Sequence, residues 1–159
     1  MHPVMVAQLL ERIHDQAMKI SHLGAEISSL FDRYALGLDY DKLDDEWASS
    51  LFSEDVLIEF PVSRHVGIDG LVEYHQKALA MWARTHHVNT PSIVSIAADR
   101  ATLRANMTSV HVHHQRDGET LPHYVSGTYV TGDAVHTEQG WRLSRLSFEL
   151  IWKTGNPPT

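Results

Sequence analysis

Apolar positions in the first forty residues recur with helical spacing. Val4, Leu9, Leu10, Ile13, Ala17 and Ile20 form one stripe, which predicts an N-terminal helical arm over residues 1–21 that packs on the body or on a partner subunit. A second amphipathic pattern follows at Ile27, Leu30, Phe31, Tyr34 and Leu38, and Gly37 suggests a break near residues 37–40. Residues 42–52 read as a short helix with Leu43, Trp47, Leu51 and Phe52 on one face. Ser53-Glu54-Asp55 is a turn, and Val56 to Phe60 alternates as a strand closed by Pro61. Ile68 to Trp82 predicts a further helix, capped by Asp69, with Leu71, Tyr74, Ala78 and Trp82 as its apolar stripe.

The character of the chain then changes. Residues 86–97, 100–113, 122–133 and 141–152 are rich in strand formers. Turn chemistry separates them at Ala98-Asp99, Arg116-Asp117-Gly118 and Glu138-Gln139-Gly140. Helices followed by hairpin-linked strands imply an α+β fold, a mostly antiparallel sheet with helices on one face. Residues 22–153 form that domain, and Gly155-Asn156-Pro157-Pro158-Thr159 reads as a loose tail over 154–159.

Composition narrows the function. The 159 residues suit one domain with a real core. A formal net charge of −7, with only 13 Lys and Arg, argues against nucleic-acid binding. No apolar run is long enough to span a bilayer, which also argues against a membrane partner. The opening residues lack a basic region and a cleavage-like site, so no signal peptide is expected and a cytoplasmic location is. With no cysteine, thiolate chemistry is excluded. Twelve histidines are the unusual feature, grouped at His86-His87, His111 and His113-His114.

Four stretches resemble the SnoaL-like branch of the NTF2-like superfamily, which includes polyketide cyclases, scytalone dehydratase and bile-acid dehydratase. They are Ile27-x-x-Leu30-x-x-x-Tyr34-x-x-x-x-Asp39 with Trp47-x-x-x-Leu51-Phe52-x-x-Asp55; Gly67 leading to Leu71; Thr85-His86-His87-Val88-Asn89-Thr90-Pro91-x-Ile93; and Gly140-Trp141-Arg142-Leu143. The resemblance covers roughly residues 22–153. It implies a cone-shaped barrel in which the helices pack on the concave face of a curved sheet. It also implies a cofactor-independent lyase, isomerase or cyclase acting on an apolar, ring-bearing or polyketide-derived small molecule, assembled as a homo-dimer or trimer.

The same resemblance maps a catalytic tyrosine, aspartate and histidine onto Tyr34, Asp39 and His86. A carboxylate that orients an imidazole makes it a competent base near neutral pH, and a tyrosine hydroxyl polarises a carbonyl. Tyr34 and Asp39 share a face only if the helix breaks near Gly37. His87 falls on the opposite side of the strand from His86, and a one-residue slip swaps the two. Substrate-binding candidates are His87, Asn106, His111, Tyr124, Ser126 and Thr128, with Phe60, Trp82 and Trp152 as apolar lining. His111-x-His113 is a two-imidazole pattern found in metal sites; a third ligand would have to come from elsewhere, with His123 as the candidate on the next strand pair, and no metal is expected. Two rival readings share the fold: a binding or assembly module that needs no base, and the small subunit of an aromatic-ring dioxygenase.

Overall fold

The computed structural model describes residues 3–158. Helix α1 spans Pro3–Tyr40 and α2 spans Asp45–Leu51. Strands β1 (Phe52–Phe60) and β2 (Ser63–Val66) precede helix α3 (Leu71–Ala80). Then come β3 (Arg84–Asn89), β4 (Ile93–Ala97), β5 (Arg100–Val112), β6 (Tyr124–Thr137) and β7 (Gly140–Thr154). The seven strands form one mixed sheet in the order β2-β1-β7-β6-β5-β3, with β4 also paired to β5. All pairings are antiparallel except β1 with β7. The α+β class and the helix-covered curved sheet expected from the sequence are both present.

One face of the long strands meets the helices. Along β5, Ala101, Leu103, Ala105, Met107 and Ser109 are buried while their neighbours Thr102, Arg104, Asn106 and Thr108 are exposed, the alternation of a half-covered strand. Against this face pack Ile27, Leu30, Phe31, Tyr34 and Ala35 of α1, Trp47, Ala48 and Leu51 of α2, and Leu71 and Val72 of α3.

Three local expectations change. The arm and the second helix are one continuous α1, because the early stripe stays in phase with Ile27, Phe31 and Ala35 and Gly24 alone is too weak an interruption. No break occurs at Gly37 either. The indole of Trp47 lies so close that a Cβ at Gly37 would sit 2.7 Å from its Nε1, so the missing side chain makes room for α2 rather than ending α1. Finally, α3 is capped not by Asp69 but by Gly70 in a left-handed conformation (φ 76°), and the Asp69 carbonyl instead receives the His65 ring at 2.9 Å.

The β-rich stretch 86–97 is two strands, split at Thr90-Pro91-Ser92, that both pair with β5. Proline there supplies no ladder donor. The tail is partly tied down, since the His113 ring donates to the Asn156 carbonyl at 3.0 Å.

Candidate active site

Because α1 continues to Tyr40, Asp39 projects from its last turn toward β3. Its carboxylate accepts three hydrogen bonds there. They come from the Thr85 hydroxyl at 2.8 Å, the His87 backbone N–H at 2.6 Å and the His87 ring Nδ1 at 2.7 Å. Both side chains are almost wholly enclosed, 7% exposed for His87 and 1% for Asp39. Burial by itself pushes the Asp39 carboxyl up, but the His87 backbone, the His87 ring and Thr85 together outweigh it and hold the group below the usual carboxylate range. An ionised carboxylate only accepts, so Nδ1 of His87 carries a proton, and the tautomer this contact selects for the neutral ring is the one with the lone pair on Nε2. That Nε2 has no hydrogen-bond partner among the described residues and is not sealed from solvent.

The expected Asp39–His86 pair is therefore replaced by Asp39–His87. The reason is strand parity. In the β3–β5 ladder His87 stands opposite Ser109, and Thr85 opposite His111, on the covered face. His86 stands opposite Val110 and is exposed on the outer face. Since α1 lies on the covered face, only Thr85 and His87 reach its carboxylate.

His111 is the second imidazole of the site. Its ring centroid is 5.7 Å from that of His87, nearly perpendicular to it at 88°. Burial, then the neighbouring His87, lowers its pKa to about 4, against smaller opposing effects of the Tyr124 backbone and Asp39. His111 is thus a neutral imidazole at pH 7, and its Nδ1 is buried without a partner. Trp82 and Tyr124 stack on each other at 5.7 Å and 11°, and each also contacts the His111 ring. These three rings make an aromatic wall beside the Asp39–His87 pair.

Other expected residues fall elsewhere. Tyr34 shares no hydrogen bond or ring contact with Asp39 or His87. Five residues along an unbroken helix rotate it away, and it is fully buried among Phe31, Trp47, Phe52 and Phe148. Its hydroxyl meets Nε2 of His75 at 3.0 Å, while Nδ1 of His75 bonds the Leu71 carbonyl at 2.9 Å. The carbonyl takes the Nδ1 proton, so Tyr34 donates to a neutral His75. Burial, with a small contribution from His65, lowers the His75 pKa to about 4 despite the Leu71 carbonyl, and burial pushes the Tyr34 hydroxyl up. His75 lies one turn after Leu71, and that spacing was the signal in the sequence for its inward position.

Phe60 stacks on Phe148 at 4.7 Å, and both rings contact Tyr34 or His75 rather than the Asp39–His87 pair. Asn106 is exposed on the outer face, opposite Tyr129. Trp152 also leaves the site: a bulge at Ile151 shifts the β6–β7 register, and its indole lies across Gly127 on the outer face. Ser126 and Thr128 do lie on the covered face, opposite Ser109 and Met107. Ser126 is buried there, and the Thr128 hydroxyl is turned to the Met107 carbonyl at 3.4 Å.

His111 and His113 both touch Trp82, but among the described residues no group of three or more His, Cys, Asp or Glu is placed to hold a metal ion. A groove of about 1130 Å³ lies at the opposite end of β5 and β6, between Asp45, Asp69, Arg100 and Arg142. Neither His87 nor His111 lines it, and it carries no comparable pairing of titratable groups. A smaller cavity of about 260 Å³, lined by Met81, His113, Leu121 and Pro157, adjoins the site through the Trp82–His113 contact. No helix of the described residues is long and apolar enough to cross a membrane.

The curved sheet with its helix cover agrees with a SnoaL-like class of protein. The SnoaL-like domain family matches residues 21–147, and the chain belongs to that family. Its fold is similar to that of an NTF2-like superfamily protein of Salmonella enterica, with 18% identity, 86% and 96% covered and a TM-score of 0.70. No curated protein sequence matches the chain. Among solved structures it is similar to the Kfla4162 protein of Kribbella flavida, with 25% identity, 82% of this chain and 91% of that one covered, and a TM-score of 0.73. It is similar also to a candidate scytalone dehydratase of Novosphingobium aromaticivorans, with 17% identity, 92% and 93% covered and a TM-score of 0.73. Another is the hexachlorocyclohexane dehydrochlorinase LinA-type3 of Novosphingobium barchaimii, with 13% identity, 87% and 94% covered and a TM-score of 0.70. At 17% and 13% identity the likeness is one of fold.

Proposed function

We propose that the protein is a cofactor-independent lyase or isomerase that removes a proton next to a carbonyl of a cyclic or polyketide-derived small molecule, leading to water loss or ring closure. The observation that carries this reading is the enclosed Asp39–His87 pair, whose Nε2 is unpaired beside a neutral His111. Nε2 of His87 takes the α-proton, and the C–H electron pair becomes an enolate. The imidazolium so formed keeps its Nδ1–H on the Asp39 carboxylate, which stabilises the charge. His111, neutral at pH 7, lines the site without placing a second positive charge beside the imidazolium. In a dehydration the enolate then expels the β-hydroxyl, which leaves as water with the proton returned by His87. Trp82 and Tyr124 offer flat faces for a ring-bearing substrate.

The solved relatives include a candidate dehydratase and a dehydrochlorinase, both names for elimination chemistry, and the site is suited to the proton-abstraction half of such a reaction. The test is a panel of cyclic β-hydroxy ketones incubated in D₂O. Deuterium incorporation at the α-carbon or water loss, by NMR, is expected with the wild type and absent with His87→Gln. A panel on which the two proteins behave alike sinks the reading.

A further inference from the structure

The first half of α1 has no counterpart in the chemistry above. Met5, Val6, Leu9, Leu10, Ile13 and Ile20 are each between 37% and 63% exposed. On a helical projection they fall on one side, in phase with Ile27, Phe31 and Ala35, which the same helix buries on its own sheet. The stripe therefore continues some 30 Å beyond the part that the body covers. A lone helix of this length is marginal in water without a packed apolar face.

We propose that this arm is an interaction surface whose occupant is the same arm of a second copy of this chain. Two observations select that partner. The first is area. Six aliphatic side chains, each 37% to 63% exposed, are left on every arm, and two arms face to face bring together an apolar seam on the order of the 1,000 Å² that a specific interface should clear. A two-fold axis lets one stripe meet itself, so no separate complementary groove is needed. The second is charge. Residues 3–22 carry Glu11 and Asp15 against Arg12 and Lys19, a balance of zero with histidine neutral. No basic cluster is present of the kind that draws a helix to an anionic lipid surface. An antiparallel crossing centred near Ile13 keeps the two bodies apart and opposes the helix dipoles.

The chain has no cysteine, so one introduced thiol reports its own neighbour. In full-length Ile13→Cys, mild oxidation is expected to give a covalent dimer in high yield, with a control Cys at Asp15, on the far side of the arm, giving little. Sedimentation of the wild type at tens of micromolar is expected to show dimer, and the double variant Leu9→Glu/Ile13→Glu to shift it at least tenfold toward monomer while the body keeps its circular dichroism. A wild type that is monomeric, or a double variant that dimerises as tightly as the wild type through the exposed outer sheet face, overturns the proposal. So does equal crosslinking at positions 13 and 15. Flotation of the wild type with neutral or anionic vesicles while it stays monomeric in solution also overturns it, in favour of a lipid surface.

Discussion

Asp39 holds His87 twice, at its ring Nδ1 by 2.7 Å and at its backbone N–H by 2.6 Å. The carboxylate thus sets the ring tautomer and also clamps the end of α1 to strand β3. A single side chain couples the orientation of the proposed base to the packing of the longest helix on the sheet.

The two adjacent histidines are expected to differ sharply. His87→Gln removes the proposed base and lowers kcat/KM by about 10²–10⁴-fold, whereas His86→Gln, exposed on the outer face, stays within about threefold of wild type. Steady-state kinetics on any substrate that emerges from the panel checks this. Equal losses in both variants would sink the assignment.

Asp39→Asn keeps the shape of the group but replaces an acceptor-only carboxylate, so the His87 tautomer is no longer enforced. The expected loss is again about 10²–10⁴-fold, with the folded state retained at pH 7. The carboxyl pKa is lowered in the fold below its ordinary 3.8. Wild type therefore gains stability from it above that value and loses this contribution as pH falls through the lower, folded value. Acid titrations followed by near-ultraviolet circular dichroism are expected to show this component in wild type and not in the variant.

His75 titrates in the opposite chemical sense but with the same slope. Its folded pKa of about 4 lies below the ordinary 6.5, so the unfolded chain binds a proton first as pH falls. Stability is full above pH 6.5 and declines toward pH 4, by on the order of 2–3 kcal/mol for this one buried group. Melting temperatures from pH 7 to 4.5 are expected to fall less steeply in His75→Gln than in wild type, and parallel curves would refute the assignment.

Tyr34→Phe leaves His75 Nε2 buried without its donor and is expected to cost about 1–3 kcal/mol. Activity should be kept, because the hydroxyl is turned away from the Asp39–His87 pair. Loss of activity in a folded Tyr34→Phe protein, measured beside its melting temperature, would restore the tyrosine to the reaction.

Gly37→Ala is expected to destabilise although alanine is the better helix former. The propensity gain is about 1 kcal/mol. The new Cβ meets Trp47 Nε1 at 2.7 Å and the Asp41 carboxylate at 3.0 Å, and overpacking of a buried indole costs about 1–3 kcal/mol. Urea denaturation that shows an unchanged or raised midpoint would contradict this account.

Much of the architecture was legible from local pattern. The helical stretches, the second half of β1, the three long strands and the turns between them follow from spacing, strand formers and glycines such as Gly140, whose φ of 99° closes the last hairpin, whereas the turn expected at Ser53-Glu54-Asp55 lies inside β1. The short β2 was missed, since four residues after a proline carry almost no periodic signal. Asp39 and a histidine of the 86–87 pair were also visible, because residue type and motif mark them.

What the chain by itself determined is the set of elements, their order and the residue types available for acid–base work. Which residues meet was decided only in three dimensions. A strand's two faces are equivalent until a neighbour sets the register, so the β3–β5 ladder, not the local sequence, turned His87 inward and His86 out. Tyr34 found His75 across 41 positions of chain, and one bulge moved Trp152 to the outer face. Each is a non-local event, set by hydrogen-bond register and close packing between segments that are distant in sequence.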